Sequence, residues 1–124
     1  MRVQTCRVCK VEKPVSIFTF RKASGKYRTD CNPCRSASGR AARYGSTVGD
    51  IEALAEKQEN SCAICGTHRD DIVHASFKYN PLVVDHDHAT GAVRGLLCST
   101  CNSLLGHAKD DVHILASAIA YLTA

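Results

Sequence analysis

The stretch Leu82-Val83-Val84-Asp85-His86-Asp87-His88-Ala89-Thr90-Gly91-Ala92-Val93-Arg94-Gly95-Leu96-Leu97-Cys98-Ser99-Thr100-Cys101-Asn102 decides how this chain folds. It reads as an apolar run, a polar block, a turn, a second apolar run and a Cys-x-x-Cys. Leu82-Val83-Val84 has the length and branching of a short buried strand, Thr90-Gly91 turns the chain, and Ala92 to Leu97 returns as a second strand. The closing Cys-x-x-Cys should open a helix over about 99–106 that carries Asn102. Two acids and two imidazoles therefore sit where the first strand ends, and a carboxamide follows on the helix.

Working outward, the cysteines come next. All eight fall into four Cys-x-x-Cys pairs: Cys6/Cys9, Cys31/Cys34, Cys62/Cys65 and Cys98/Cys101. One tight turn of this kind lets two thiolates take two corners of a zinc tetrahedron, and two turns close the site. Two structural Zn²⁺ ions are expected, one on Cys6, Cys9, Cys31 and Cys34, the other on Cys62, Cys65, Cys98 and Cys101. The alternative, a secreted disulfide scaffold, needs an export signal, and Met1 to Cys6 has no apolar core of that kind. The expected setting is reducing and intracellular. No apolar run approaches the roughly 20 residues that span a bilayer, so no membrane partner is expected.

The chain has 124 residues, no Trp, four Tyr and three Phe, enough for one modest domain or two very small ones stapled by metal. Its net charge of +4 conceals a division. Residues 1–45 hold eleven Lys/Arg against two acids, and residues 46–124 hold five against ten. With about −2 on each zinc–thiolate centre, the halves carry about +7 and −7. A basic arm on an acidic body points to a polyanionic partner.

Three segments are expected: a four-cysteine zinc module over 1–34, a basic connector helix over 35–47, and a zinc-closed domain over 48–124. In the first, a hairpin between Cys9 and Cys31 pairs Ser16–Phe20 with Lys26–Arg28 across Ser24-Gly25, as in a zinc ribbon. Lys10, Lys13, Arg21, Lys22, Lys26 and Arg28 cluster on it, with Phe18, Phe20 and Tyr27 as a small core. A helix over 33–44 is capped by Asn32 and stopped by Gly45, and Arg35, Arg40 and Arg43 cover one broad face of it. Thr47-x-x-Asp50 reads as a capping box opening a helix over 48–59. Residues 67–80 are polar and irregular, with His68 and His74 read as solvated, and Asn80-Pro81 breaks the chain. A last helix, capped by Asp110 or Asp111, is apolar on much of its girth, from Val112, Leu115, Ile119 and Leu122 to Ile114, Ala118 and Tyr121. Such a helix is either well buried or forms a partner interface.

The polar block suits phosphodiester chemistry. Asp85 offers an anionic oxygen and Asn102 a neutral one. This leaves most positions of an octahedral divalent cation, Mg²⁺ or Mn²⁺, to water and phosphate. His86 can accept a proton from water. His88 falls on the same side of an extended strand as His86 and could position phosphate, while Asp87 alternates away. Arg94 could hold a flanking phosphate.

Cys62-Ala-Ile-Cys65, then Val84-Asp85-His86-Asp87-His88, then Gly91-Ala-Val-Arg94-Gly-Leu-Leu-Cys98-x-x-Cys101-Asn102 closely resembles the recombination endonuclease VII branch of the HNH nucleases. The resemblance covers about residues 48–122. The N-terminal Cys-x-x-Cys pairs resemble zinc modules found ahead of such domains. It implies a small zinc-stabilised α+β fold: a ββα-metal (HNH, His-Me finger) core with flanking helices, preceded by the zinc-ribbon-like hairpin. It also implies catalysis by His86, His88, Asp85 and Asn102, with Asp85 and Asn102 as metal ligands, His86 as general base, and 5′-phosphate and 3′-hydroxyl products. Known members of the branch carry an acid three places after the asparagine, where this chain has Leu105. That favours plain phosphodiester cleavage over resolution of four-way junctions.

The expected activity is a metal-dependent DNA endonuclease, acting as monomer or homodimer. Lys22, Lys26, Arg28, Arg35, Arg40, Arg43 and Arg94 would grip DNA, branched and nicked forms included. RNA offers the same phosphate to the site. The alternatives are a structure-selective, junction-resolving nuclease and a non-catalytic zinc DNA-binding module.

Overall fold

A computed structural model of the chain describes residues 2–73 and 81–124. The expectations for His74 and Asn80 lie outside the described residues. The chain divides into two compact units, Met1–Ile51 and Glu52–Ala124.

In the first unit, strand β1 (Val3–Thr5) pairs antiparallel with β2 (Glu12–Pro14), and the Cys6–Cys9 turn lies between them. The strand expected over 16–20 is instead a 3-10 turn, Val15–Ile17, followed by the two-residue strand β3 (Phe20–Arg21). It pairs with β4 (Lys26–Tyr27), and the turn between them uses Gly25 at φ +69°. These strands are short because sulfur fixes the packing here. Cys6, Phe18 and Cys31 form the buried cluster, with Ile17, Tyr27 and Cys34 packed on it. Phe18 is core as expected. Phe20 is half exposed and meets Tyr27 edge-on, with ring centroids 5.1 Å apart.

Helix α1 (Asn32–Arg43) follows. Cys31, not Asn32, is its N-cap, and Asn32 instead accepts a hydrogen bond from the Thr19 hydroxyl at 2.8 Å. Pro33 fits the first turn, where its missing N–H costs nothing, and Gly45 at φ +65° closes the C-terminus. Thr47 Oγ1 then accepts from the Asp50 N–H at 3.1 Å, and starts helix α2 (Val48–Lys57). The helix stops two residues short of the expected end because Glu59 and Asn60 both turn left-handed, at φ 55° and 56°. No residue of α2 is fully buried, although Ile51, Leu54 and Ala55 are its less exposed face.

The second unit is built on β5 (Leu82–His86) and β6 (Val93–Cys98), paired antiparallel. Leu82, Val83, Val84, Leu96 and Leu97 are buried, on both sides of the ribbon. Helix α3 (Ser99–His107) follows directly, with Cys98 as its cap. A 3-10 turn at Arg69–Asp71 precedes the ribbon, and His68 Nδ1 accepts the Asp70 N–H at 3.1 Å, so His68 serves as a local cap. Helix α4 (Val112–Thr123) ends the chain. Its cap is Asp111, whose Oδ1 accepts from His113 at 2.8 Å and Ile114 at 3.4 Å. None of its residues is buried, and Ile119, Tyr121 and Leu122 are at least 65% exposed.

Candidate functional site

Each unit contains one sulfur cluster. In each, the four Sγ atoms lie within 4.8 Å of one another, and all eight cysteines are unbridged. A zinc tetrahedron with Zn–S near 2.3 Å needs sulfurs about 3.8 Å apart, and Cys65 Sγ to Cys98 Sγ is 3.8 Å. Both sets fit zinc. Backbone N–H groups point at the sulfurs as thiolates require: Val8 and Cys31 to Cys6, both at 3.3 Å, and Cys101 to Cys98 at 3.4 Å. The Thr67 hydroxyl and N–H beside Cys65 hold its thiol down at about 6. Lys13 Nζ reaches Cys31 Sγ at 3.3 Å, so this lysine offsets thiolate charge. Four thiolates around one ion would leave no open position for substrate, so either set suits a structural ion.

The polar block stands at the end of β5. Asp85 is paired with Gly95 and His86 with Val93, so the register slips and Arg94 has no Cα partner. This bulge re-aims Arg94. Its Nε and Nη2 donate to Asp85 Oδ2 and Oδ1 at 2.8 and 3.0 Å, a two-pronged ion pair on a carboxylate only 7% exposed. The expectation places Arg94 on a flanking phosphate; in the structure its charge compensates Asp85.

His86 is half-buried and His88 exposed, and their rings are 4.7 Å apart between centroids. The two rings lie together although β5 ends at His86, because the turn that begins at Asp87 carries His88 back beside it. Asp87 has a different task. Its Oδ1 accepts from Ala89 at 2.7 Å and Thr90 at 3.2 Å, which folds the turn back toward Gly91 at φ +79°. Those two N–H donors hold its carboxyl below the usual range.

One member of the block is not legible in the sequence as such. Asp110 Oδ2 lies 2.6 Å from His88 Nδ1, and its Oδ1 is 3.5 Å from Arg94 Nη2. The His88 bond holds its carboxyl low. The sequence offers Asp110 and Asp111 equally as caps; Asp111 takes the cap and Asp110 turns to the imidazole. Asn102 is exposed on α3, and its side chain makes no hydrogen bond among the described residues.

The donor set suits a hard divalent cation. Asp85 supplies charge and Asn102 an uncommitted carboxamide oxygen, and Asp85 is already compensated by one positive group. Asp85 would accept a metal by giving up Arg94.

The basic residues are sorted differently from expectation. Lys22, Lys26, Arg35 and Arg43 are exposed. Arg28 is tied to Asp30 at 3.3 Å, which spends its charge locally. Arg40 is 7% exposed, so the outer face of α1 does not present it. It does help to line a cleft with Arg35, Arg43, Asn32 and Thr19. No described helix is long and apolar enough to cross a membrane.

A two-stranded ribbon and helix closed by a four-cysteine cluster, with acid and imidazole at the strand end, is the ββα-metal arrangement. The sequence profile of the recombination endonuclease VII family matches residues 37–124, and the chain belongs to that family. It is 45% identical over 82 residues to the Gene 59 protein of Mycobacterium phage D29, and 43% identical over 82 residues to that of Mycobacterium phage L5. Each match takes in 65% of this chain and 46% of the relative. The chain thus spans about half the length of the curated relatives it matches. Among solved structures, the beta-beta-alpha-Me type II restriction endonuclease Hpy99I aligns with 98% of this chain and 65% of its own, at 28% identity and a TM-score of 0.47.

Proposed function

We propose that this chain is a metal-dependent DNA endonuclease that leaves 5′-phosphate and 3′-hydroxyl ends. Family membership supports a nuclease. The observation that carries the chemistry is the pair of imidazoles, His86 and His88, at 4.7 Å beside a buried, cation-compensated Asp85. Asp85 and Asn102 would hold the divalent ion, which when bound would neutralise charge on the scissile phosphate and its leaving oxygen.

The residues of the chain divide the remaining work. His86 takes the proton from the attacking water. His88 faces the phosphate and directs it. Arg94, released from Asp85, stays beside the site as a second positive group. Lys22, Lys26, Arg35 and Arg43 hold the DNA backbone through charge alone, without reading sequence. Arg28, paired with Asp30, and Arg40, buried in the cleft that Arg35 and Arg43 line, add to that grip from less exposed positions.

The test is nicking of supercoiled plasmid by the zinc-loaded protein with Mg²⁺ or Mn²⁺. Wild type should cut, and His86→Ala should lose at least about 100-fold, the usual weight of a general base. Equal background rates for the two proteins across both metals would remove the enzyme reading. The saturation of Asp85 by Arg94 is the one observation favouring a non-catalytic DNA-binding module. That reading predicts salt-sensitive DNA binding with no dependence on His86 or Asn102.

A further inference from the structure

We propose that Asp110 is a positioning residue of this site: it fixes the tautomer and direction of His88, and holds Arg94 toward the same point. Its consequence for cleavage rests on the nuclease reading above; its content rests on geometry. The His88 side chain is 66% exposed, and besides the His86 ring, 4.7 Å away between centroids, little packs against it to keep the ring from turning. The 2.6 Å contact from Nδ1 to Asp110 Oδ2 supplies that restraint. A carboxylate accepts and cannot donate, so the proton must lie on Nδ1, and Nε2 is the nitrogen presented outward.

The second oxygen has a matching place. Asp110 Oδ1 is buried, accepts no hydrogen bond among the described residues, and lies 3.5 Å from Arg94 Nη2. Arg94 thus stands between two carboxylates, in full contact with Asp85 and at longer range from Asp110. When Asp85 turns to another cation, Asp110 is the anion that keeps Arg94 at the site.

The turn that ends α3 makes this placement. Lys109 and Asp110 both sit left-handed, at φ 57° and 55°, and their N–H groups donate to the Gly106 and Leu105 carbonyls at 3.0 and 2.9 Å, which closes the C-terminus of that helix. Asp111, next along, caps α4, and Asp110 is left to turn its side chain to the site. The side chain of Asp110 is three-quarters buried, and its partners are His88 and Arg94.

The experiment uses the full zinc-loaded chain and three variants, Asp110→Ala, Asp110→Asn and His88→Ala, with the double variant His88→Ala/Asp110→Ala. The first readout is the ¹⁵N spectrum of the His88 ring without DNA. Wild type should show one neutral tautomer, protonated on Nδ1. Asp110→Ala should show a mixture, and Asp110→Asn, whose carboxamide can donate to Nδ1 as well as accept from it, should also lose the single form while keeping the contact. The second readout is plasmid cleavage. Asp110→Ala should lose about 10- to 100-fold, the usual weight of a partner behind an active imidazole, mainly in kcat. The double variant should be slower than His88→Ala alone by less than Asp110→Ala slows the wild type, the remainder being the hold on Arg94. A merely structural tie would leave the tautomer unchanged or lower the rates of the double variant multiplicatively, and either result overturns the proposal. Should wild type fail to cleave, the nuclease reading falls, and the ring spectrum still decides what Asp110 does to His88.

Discussion

Gln58 illustrates how much one side chain can carry in a unit with so few strands. Its Oε1 accepts from the Leu96 N–H at 3.0 Å, and its Nε2 donates to the Leu96 and Ser61 carbonyls, both at 2.9 Å. The amide thus completes the open edge of β6, where a third strand would otherwise be needed. Gly95 leaves room for it, since a β-carbon there would come within 3.2 Å of Gln58 Oε1. Gln58→Ala should cost about 2 kcal/mol, the penalty for backbone groups left without partners. Chemical denaturation at fixed zinc would measure that. Amide exchange at Leu96 should accelerate more than at Leu82, and equal acceleration at both would show that Gln58 acts on the whole unit instead. At this scale the sequence is only partly legible. Asp85, His86 and His88 stand out because charge directly after Val83-Val84 has no packing role. Gln58, Arg94 and Asp110 do not stand out. A glutamine at a helix end looks solvated, a bulge leaves no mark in a two-residue period, and adjacent aspartates compete equally for one cap.

Elements built on periodicity are readable, and elements built on sulfur are not. β5, β6 and α3 lie within two residues of expectation because the run of Leu82 to Val84 and that of Val93 to Leu97 can only be buried together. In the N-terminal unit, β1 to β4 are two or three residues long, and two Cys-x-x-Cys turns set their directions. Lys10 even takes the left-handed position after its cysteine turn, at φ 63°, where the second unit uses Gly66 at φ 75°. A lysine gives no warning of that. The apolar content of helix α4 reads as either a buried helix or a partner interface, and in the chain by itself Ile119 is 65% and Leu122 80% exposed. The double variant Ile119→Gln/Leu122→Gln should therefore cost the isolated chain no more than a surface change does, about 0.5 kcal/mol, read from its thermal unfolding. A loss of several degrees in the midpoint would place these side chains in a core.

The chain has two compact units, each with one set of four cysteines, and the two should fold as separate decisions. Cys34→Ser should reduce bound zinc from two ions per chain to one and collapse the backbone amide spectrum of residues 1–51. The signals of residues 52–124 should stay dispersed. Cys101→Ser should do the reverse, with zinc counted by a colorimetric chelator after thiol modification. Loss of both halves in either variant would show that they fold as one. The basic residues proposed to grip DNA, Lys22, Lys26, Arg28, Arg35, Arg40 and Arg43, all lie in the first unit, and the polar block lies in the second. Mass action then has a consequence for the population of molecules. A unit gains about RT ln(1 + [Zn]/Kd) from its ion, so where zinc is buffered between the two dissociation constants, half-loaded chains accumulate. Such a chain either keeps the proposed DNA grip without the site or keeps the site without the grip. The active fraction then follows the product of two occupancies, and falls more steeply than either as zinc becomes scarce.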